Sequence, residues 1–137
     1  YEQEKQPHML ELASSYVERL TDERYTLDIL GINKGVALIN NNGERLELKF
    51  WSSGLADQVY LALRLALAKV FSYQVESLPI ILDDILVRFD ENRQRSALEL
   101  LAELGKNQQI WLFTCQRSVY DMAQSIMGID CHRLSRS

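Results

Sequence analysis

Two adjacent carboxylates, Asp83 and Asp84, directly follow the apolar run Pro79-Ile80-Ile81-Leu82. A short apolar run with an abrupt polar end reads as a strand, and ligands of open α/β sheets bind where strands end at their C-termini. Side by side, two carboxylates repel unless a cation or a proton separates them, so a divalent metal near a phosphate is the economical chemistry. A capping Asp beside a solvated one is the plain alternative. A second candidate is Trp51-Ser52-Ser53-Gly54, which opens a long apolar run. Backbone N–H groups at a helix start, two hydroxyls and a glycine that permits close approach suit an anion, although Ser-Gly also serves as an ordinary cap. The third is Trp111-Leu112-Phe113-Thr114-Cys115-Gln116, an apolar run with a polar end. The three termini, Ser-Ser-Gly, Asp-Asp and Thr-Cys-Gln, are expected to converge on one edge of a sheet.

The elements that position them follow from periodicity. Pro7 suits the first turn of a helix, Met9, Leu10, Leu12, Tyr16, Val17 and Leu20 recur at helical spacing, and Thr21-Asp22 ends it. Tyr25, Leu27 and Ile29 alternate with Thr26 and Asp28, and Val36 and Leu38 continue after a turn at 31–35. Leu46, Leu48 and Phe50 alternate with Arg45, Glu47 and Lys49 in a further strand, and Asn42-Gly43 is a tight turn whose two positions both want positive φ. A largely buried helix is expected over 57–71, and 79–82 as a central strand covered on both faces. Asp90 caps the next helix, in which Ala97, Leu98, Leu100, Leu101 and Leu104 form one stripe and Gly105 is the stop. A buried strand over 109–114, a weaker helix over 119–126 and a closing strand over 130–134 complete an α/β fold: an antiparallel meander followed by a partly parallel sheet with packed helices.

At 137 residues, 47% hydrophobic, 25% charged and with two prolines, the chain is expected to form one globular domain rather than a disordered, collagen-like or disulfide-scaffold sequence. Its formal charge of −4 repels nucleic acid and anionic membranes. The run from Leu65 to Val70, broken by Lys69 and preceded by Arg64, falls far short of the roughly 20 residues of a membrane span. Cys115 and Cys131 sit in apolar contexts without metal-ligand spacing, which reads as buried, unpaired thiols in a reducing compartment. The opening Tyr-Glu-Gln-Glu-Lys-Gln has neither Met nor a signal-peptide segment and is expected to belong to a longer cytosolic chain.

Four of these segments together resemble the C-terminal lobe of the ATP-binding-cassette head in SMC-like chromosome and repair ATPases, in the YhaN and SbcC branch. Trp51-Ser52-Ser53-Gly54-Leu55-Ala56-Asp57-Gln58 is similar to the signature motif and Ile80-Ile81-Leu82-Asp83-Asp84 to the Walker B strand. Val87-Arg88-Phe89-Asp90 resembles the D-loop and Phe113-Thr114-Cys115-Gln116 the switch strand. The motifs stand in the family's order and spacing. The resemblance implies an ATPase using ATP and Mg²⁺, in which Asp83 holds the Mg²⁺ shell through water, Asp84 orients the attacking water, and Gln116 stands at the catalytic switch position. It further implies that Ser52, Ser53 and Gly54 contact the γ-phosphate of a nucleotide carried by the opposite head. Asp90 couples the two sites, and Arg64 relays nucleotide state to neighbouring helices.

Two positions depart from the pattern. Glu is commoner where Asp84 stands, although paired Asp is at home in the YhaN-like branch, and slow turnover is expected. The switch histidine is replaced by Gln116, which cannot titrate but whose amide N–H₂ still donates; His132, in the expected last strand, reads as structural. The Walker A loop is missing, since the one Gly-Lys, Gly105-Lys106, has Leu100 and Asn107 where a glycine and a hydroxyl residue are required. The chain therefore reads as half a site: residues 1–8 as the end of a coiled-coil arm or a remnant of a longer chain, and 9–137 as the head lobe, inactive by itself. The implied partners are its own N-terminal Walker A lobe, a second head in a homodimer, an SbcD-type metallophosphoesterase nuclease and DNA through the full-length complex, with no membrane and a cytoplasmic, nucleoid-associated location. Two rivals are a catalytically silent dimerisation or interaction lobe and a phosphoacceptor receiver-like domain. The receiver is disfavoured because it wants its acidic pair near the N-terminus and a Lys after a late strand.

Overall fold

The computed structural model describes residues 2–29, 35–72 and 79–133. Its first unit begins with α1 (Glu2–Leu20), which buries Ala13, Tyr16, Val17 and Leu20 on one face. The helix starts before Pro7, so that proline lies beyond the first turn rather than in it; its missing N–H removes one intrahelical bond without ending the helix. Thr21 closes α1 as expected: its hydroxyl donates to the Val17 carbonyl at 2.7 Å and accepts from the Tyr25 N–H at 3.2 Å.

β1 (Tyr25–Ile29), β2 (Val36–Asn40) and β3 (Arg45–Glu47) form an antiparallel meander, with Leu27 opposite Leu38 and Leu38 opposite Leu46. The Leu27 N–H donates to Ser14 Oγ at 3.1 Å, fastening β1 to α1. The expected turn at 31–35 lies outside the described residues except for Gly35. The second hairpin differs from the expected two-residue turn. Asn40 and Glu44 pair across a three-residue loop in which Gly43 has positive φ (81°) and Asn42 does not. Asn40 Oδ1 accepts from both Asn42 and Glu44 N–H groups, and this side-chain clasp selects the longer loop.

The alternation at Leu46, Leu48 and Phe50 also misleads. β3 stops at Glu47 and Leu48–Phe50 turns as a 3₁₀ segment, leaving Leu48 60% and Phe50 65% exposed. Trp51 draws the chain back, its ring N–H donating to the Leu46 carbonyl at 3.0 Å. α2 (Ser53–Ser72) buries Leu55, Gln58, Val59, Leu61, Ala62, Leu65 and Ala66, but Tyr60, Leu67 and Phe71 are exposed, so it is buried on one side rather than nearly all round.

The second unit contains β4 (Ile80–Asp83), α3 (Glu91–Leu104), β5 (Ile110–Phe113) and α4 (Arg117–Gln124). β4 and β5 pair in parallel with Ile80 opposite Ile110 and Asp83 opposite Phe113, the connection α3 supplies. Ile80 and Leu82 turn inward with Leu86, Phe89, Ala97, Leu98, Leu101, Val119 and Met122, while Ile81, Trp111 and Phe113 are 53%, 47% and 44% exposed. The expectation of strands covered on both faces is thus corrected, because helices cover one face of this two-stranded sheet. Residues 130–133 form no strand; among the described residues they have no ladder partner. No helix among the described residues is long and apolar enough to cross a membrane.

Candidate functional site

Asp83 and Asp84 end β4 as the sequence predicts. Asp83 is exposed, and Asp84 is half-buried with φ of 50°, the left-handed region that a non-glycine residue enters at a cost. The strand pairing explains why Asp84 stays there. Its N–H donates to the Phe113 carbonyl at 2.7 Å, which extends the β4–β5 ladder one residue past the strand. That bond and the following turn, in which the Phe89 N–H donates to the Leu86 carbonyl at 3.1 Å, fix the backbone on both sides. Gln94 adds a buried restraint, its amide donating to the Leu86 carbonyl at 3.0 Å.

The Asp84 carboxylate meets the end of β5. Thr114 Oγ1 donates to Oδ1 at 3.3 Å, and Cys115 Sγ lies 3.8 Å from Oδ2. Thr114 Oγ1 in turn accepts the Gln116 N–H at 3.1 Å. Gln116 is the residue before α4, and its side-chain oxygen is buried without a hydrogen-bond partner. Two of the three termini expected to share an edge, Asp83-Asp84 and Thr114-Cys115-Gln116, are therefore brought together within the second unit. The sequence placed Thr114 and Cys115 at the converging edge but gave neither a role of its own. Their polar types at the end of an apolar run were the available signal, but the parallel register that places them on Asp84 is not a local property.

Ser52, Ser53 and Gly54 lie in the first unit at the start of α2. Ser52 Oγ accepts the Leu55 N–H at 3.1 Å, the ordinary cap, and its own O–H remains able to donate outward. Arg64 is exposed on α2. Asp90 is the N-cap of α3 as predicted, Oδ1 accepting the Arg93 N–H at 2.8 Å. Cys115 is exposed and Cys131 half-buried, both free, so the expectation of two buried thiols fails at Cys115, where β5 has already ended. His132 is exposed and lies in no strand. A cleft of about 510 Å³ between α3 and α4 is lined by Glu91, Gln94, Arg95, Ser118, Asp121 and Met122 among others; it does not include Asp83, Asp84 or Gln116.

The donor set suits Mg²⁺. That ion keeps several waters and takes one or two carboxylates together with phosphate oxygens, which an exposed Asp83 can satisfy. No group of three or more His, Cys, Asp or Glu side chains among the described residues is placed to cage a metal.

Solved structures share this architecture. A structure described as structural biochemistry of ATP-driven dimerization and DNA-stimulated activation of SMC ATPases superposes with a TM-score of 0.71 at 16% identity, over 85% of this chain and 73% of that one. The SMC head domain from Thermotoga maritima superposes with a TM-score of 0.66 at 20% identity, over 85% of this chain and 40% of the other. The fold is therefore that of SMC head domains, as the resemblance implied. In sequence the chain is similar to the uncharacterized protein YhaN of Bacillus subtilis, 34% identical over 122 residues. That match spans 87% of this chain and 12% of YhaN. No family model matches the chain.

Proposed function

We propose that this chain is half of a composite ATP-binding and hydrolysis site in an SMC-like DNA-repair or DNA-processing ATPase that closes its heads on ATP. One observation carries the reading: Asp84, a non-glycine residue at φ 50° where a parallel strand ends, has its carboxylate tied to the end of the neighbouring strand. Asp22 and Glu23 have similar angles, 55° and 64°, in the turn after α1, so the tether of the carboxylate to Thr114, rather than the backbone angle alone, marks Asp84. Phosphoryl transfer asks for positioning and charge compensation more than covalent chemistry.

In this reading Asp84 orients the attacking water, and the Gln116 amide N–H₂ donates to a phosphate oxygen in place of a histidine. Asp83 would hold Mg²⁺ through water, and the ion when bound would offset the phosphate charge. Ser52, Ser53 and Gly54 reach the γ-phosphate of a nucleotide on a second head, Asp90 couples the two sites and Arg64 relays their state. The Walker A loop comes from an N-terminal lobe, with 1–8 as the end of the arm that joins it and 9–137 as the C-terminal lobe. A homodimer of heads, an SbcD-type nuclease and DNA are the partners, in the cytoplasm at the nucleoid. The fold shared with SMC ATPases and the similarity to YhaN support this assignment.

A silent interaction lobe is the second reading, favoured by Gln116 at the histidine position and by the use of Ser52 and Asp90 as helix caps. Three variants of the full-length protein separate the two. Asp84→Asn keeps ATP binding, loses most turnover and holds the heads in the closed dimer; Asp83→Asn weakens Mg²⁺-dependent nucleotide binding; Ser52→Arg binds nucleotide on each head but does not close. Light scattering with ATP reads the dimer and phosphate release reads turnover. If Asp84→Asn hydrolyses ATP and dimerises as the wild type does, the composite site is wrong. The isolated chain, lacking a phosphate-cradling loop, should show no ATP affinity by calorimetry.

A further inference from the structure

We infer that Thr114 is a positioning residue that ties the Asp84 carboxylate to the backbone at Gln116, so that the water-orienting group follows the end of the switch strand. The inference rests on the reading of Asp84 given above and adds a residue to that site. Thr114 Oγ1 accepts the Gln116 N–H at 3.1 Å and lies 3.3 Å from Asp84 Oδ1. A hydroxyl has one proton, and an ionised carboxylate can only accept, so the proton points at Asp84 while the oxygen is occupied by the amide. The three groups form a directed chain, N–H to O–H to carboxylate, in which each bond polarises the next.

Both ends of that chain are anchored. The Asp84 backbone is held by the Phe113 carbonyl at 2.7 Å, and Gln116 is the N-cap of α4, its carbonyl accepting the Tyr120 N–H at 3.2 Å. Two residues separate Phe113, paired opposite Asp83, from Gln116. A displacement at the start of α4 is therefore passed to Asp84 through a single hydroxyl. The left-handed backbone of Asp84 fixes the direction of its Cβ, leaving two side-chain torsions for Thr114 to settle. Cys115 Sγ, 3.8 Å from Oδ2, is a weak donor. A carboxylate offers about four acceptor positions, so these contacts leave room for a water and the arrangement orients rather than blocks.

The test is steady-state ATP hydrolysis by the full-length protein. Thr114→Val keeps the shape and removes the proton; its kcat falls about tenfold or more while KM for ATP stays within about twofold. Thr114→Ser restores the hydroxyl and recovers kcat to within about threefold of wild type. Where the valine is poorly tolerated, the Ser and Ala variants give the same comparison, with Ser the faster. In an Asp84→Asn background, Thr114→Val lowers kcat no further, because the two act as a unit. Equal losses in the Val and Ser variants, a loss confined to KM, or an additive double variant overturns the inference. If Asp84→Asn abolishes turnover and Thr114→Val does not, the role of Thr114 alone has failed; if Asp84→Asn is as active as wild type, the reading of the site has failed.

Discussion

The side-chain amide of Gln58 donates to the Leu20 carbonyl at 2.6 Å, joining the second turn of α2 to the last residue of α1. The last carbonyls of a helix have no partners within it, and here one is met by a fully buried glutamine from the segment that also carries Ser52 and Gly54. The same side chain leaves its oxygen buried without a partner. Gln58→Ala removes the donor and opens a cavity, and should cost about 2–4 kcal/mol of stability. Gln58→Leu fills the space and abolishes the orphan oxygen while stranding the carbonyl, and should cost about 1 kcal/mol. Urea unfolding of the chain checks both, and an Ala variant within about 0.5 kcal/mol of wild type shows that this bond does not secure the helix pair.

Asp90 offers a separation of two roles. As the cap of α3 it needs an oxygen acceptor; as a coupling residue across a dimer it needs its charge. Asp90→Ala loses the bond to the Arg93 N–H and should destabilise the chain by about 1 kcal/mol, whereas Asp90→Ser keeps a capping oxygen and should be nearly neutral. If Asp90 also couples two heads as proposed, the Ser variant of the full-length protein should nevertheless lose that coupling, read as reduced ATP turnover at unchanged ATP binding. A Ser variant with wild-type turnover assigns Asp90 to capping alone.

The parts of this fold that were legible are those set by neighbours in sequence. Thr21, Asp90 and Gly105 mark helix ends because caps act over three or four residues, and the β1–β2–β3 order follows from alternation. Alternation says which residues share a face and not whether anything covers it. Leu48 and Phe50 continue a strand pattern past the point where the ladder ends, and Ile81, Trp111 and Phe113 have the residue types of a doubly covered strand on a face that is exposed in this chain. The acidic pair was equally legible from its place after Leu82. The left-handed turn at Asp84 and the hydroxyl of Thr114 upon it were not, since 30 residues and a helix separate the two strand ends whose register brings them together.

The two thiols should differ in reactivity. Cys115 is exposed at the end of β5, while burial, and after it the Asp130 carboxylate, raises the Cys131 thiol above its ordinary value of 9.0. Thiolate is the reacting species, so a raised pKa leaves less of it at any pH below that value. At pH 8, iodoacetamide should therefore modify Cys115 several-fold faster than Cys131, as followed by peptide mass spectrometry. The adduct at Cys115 places bulk beside Asp84 Oδ2, 3.8 Å from the sulfur, so ATP turnover of the full-length protein should fall in step with modification of Cys115. A Cys115→Ser variant should resist that inactivation. Equal labelling of the two cysteines contradicts the difference in their surroundings, and full activity with Cys115 completely modified contradicts the role proposed for the Asp84 carboxylate beside it.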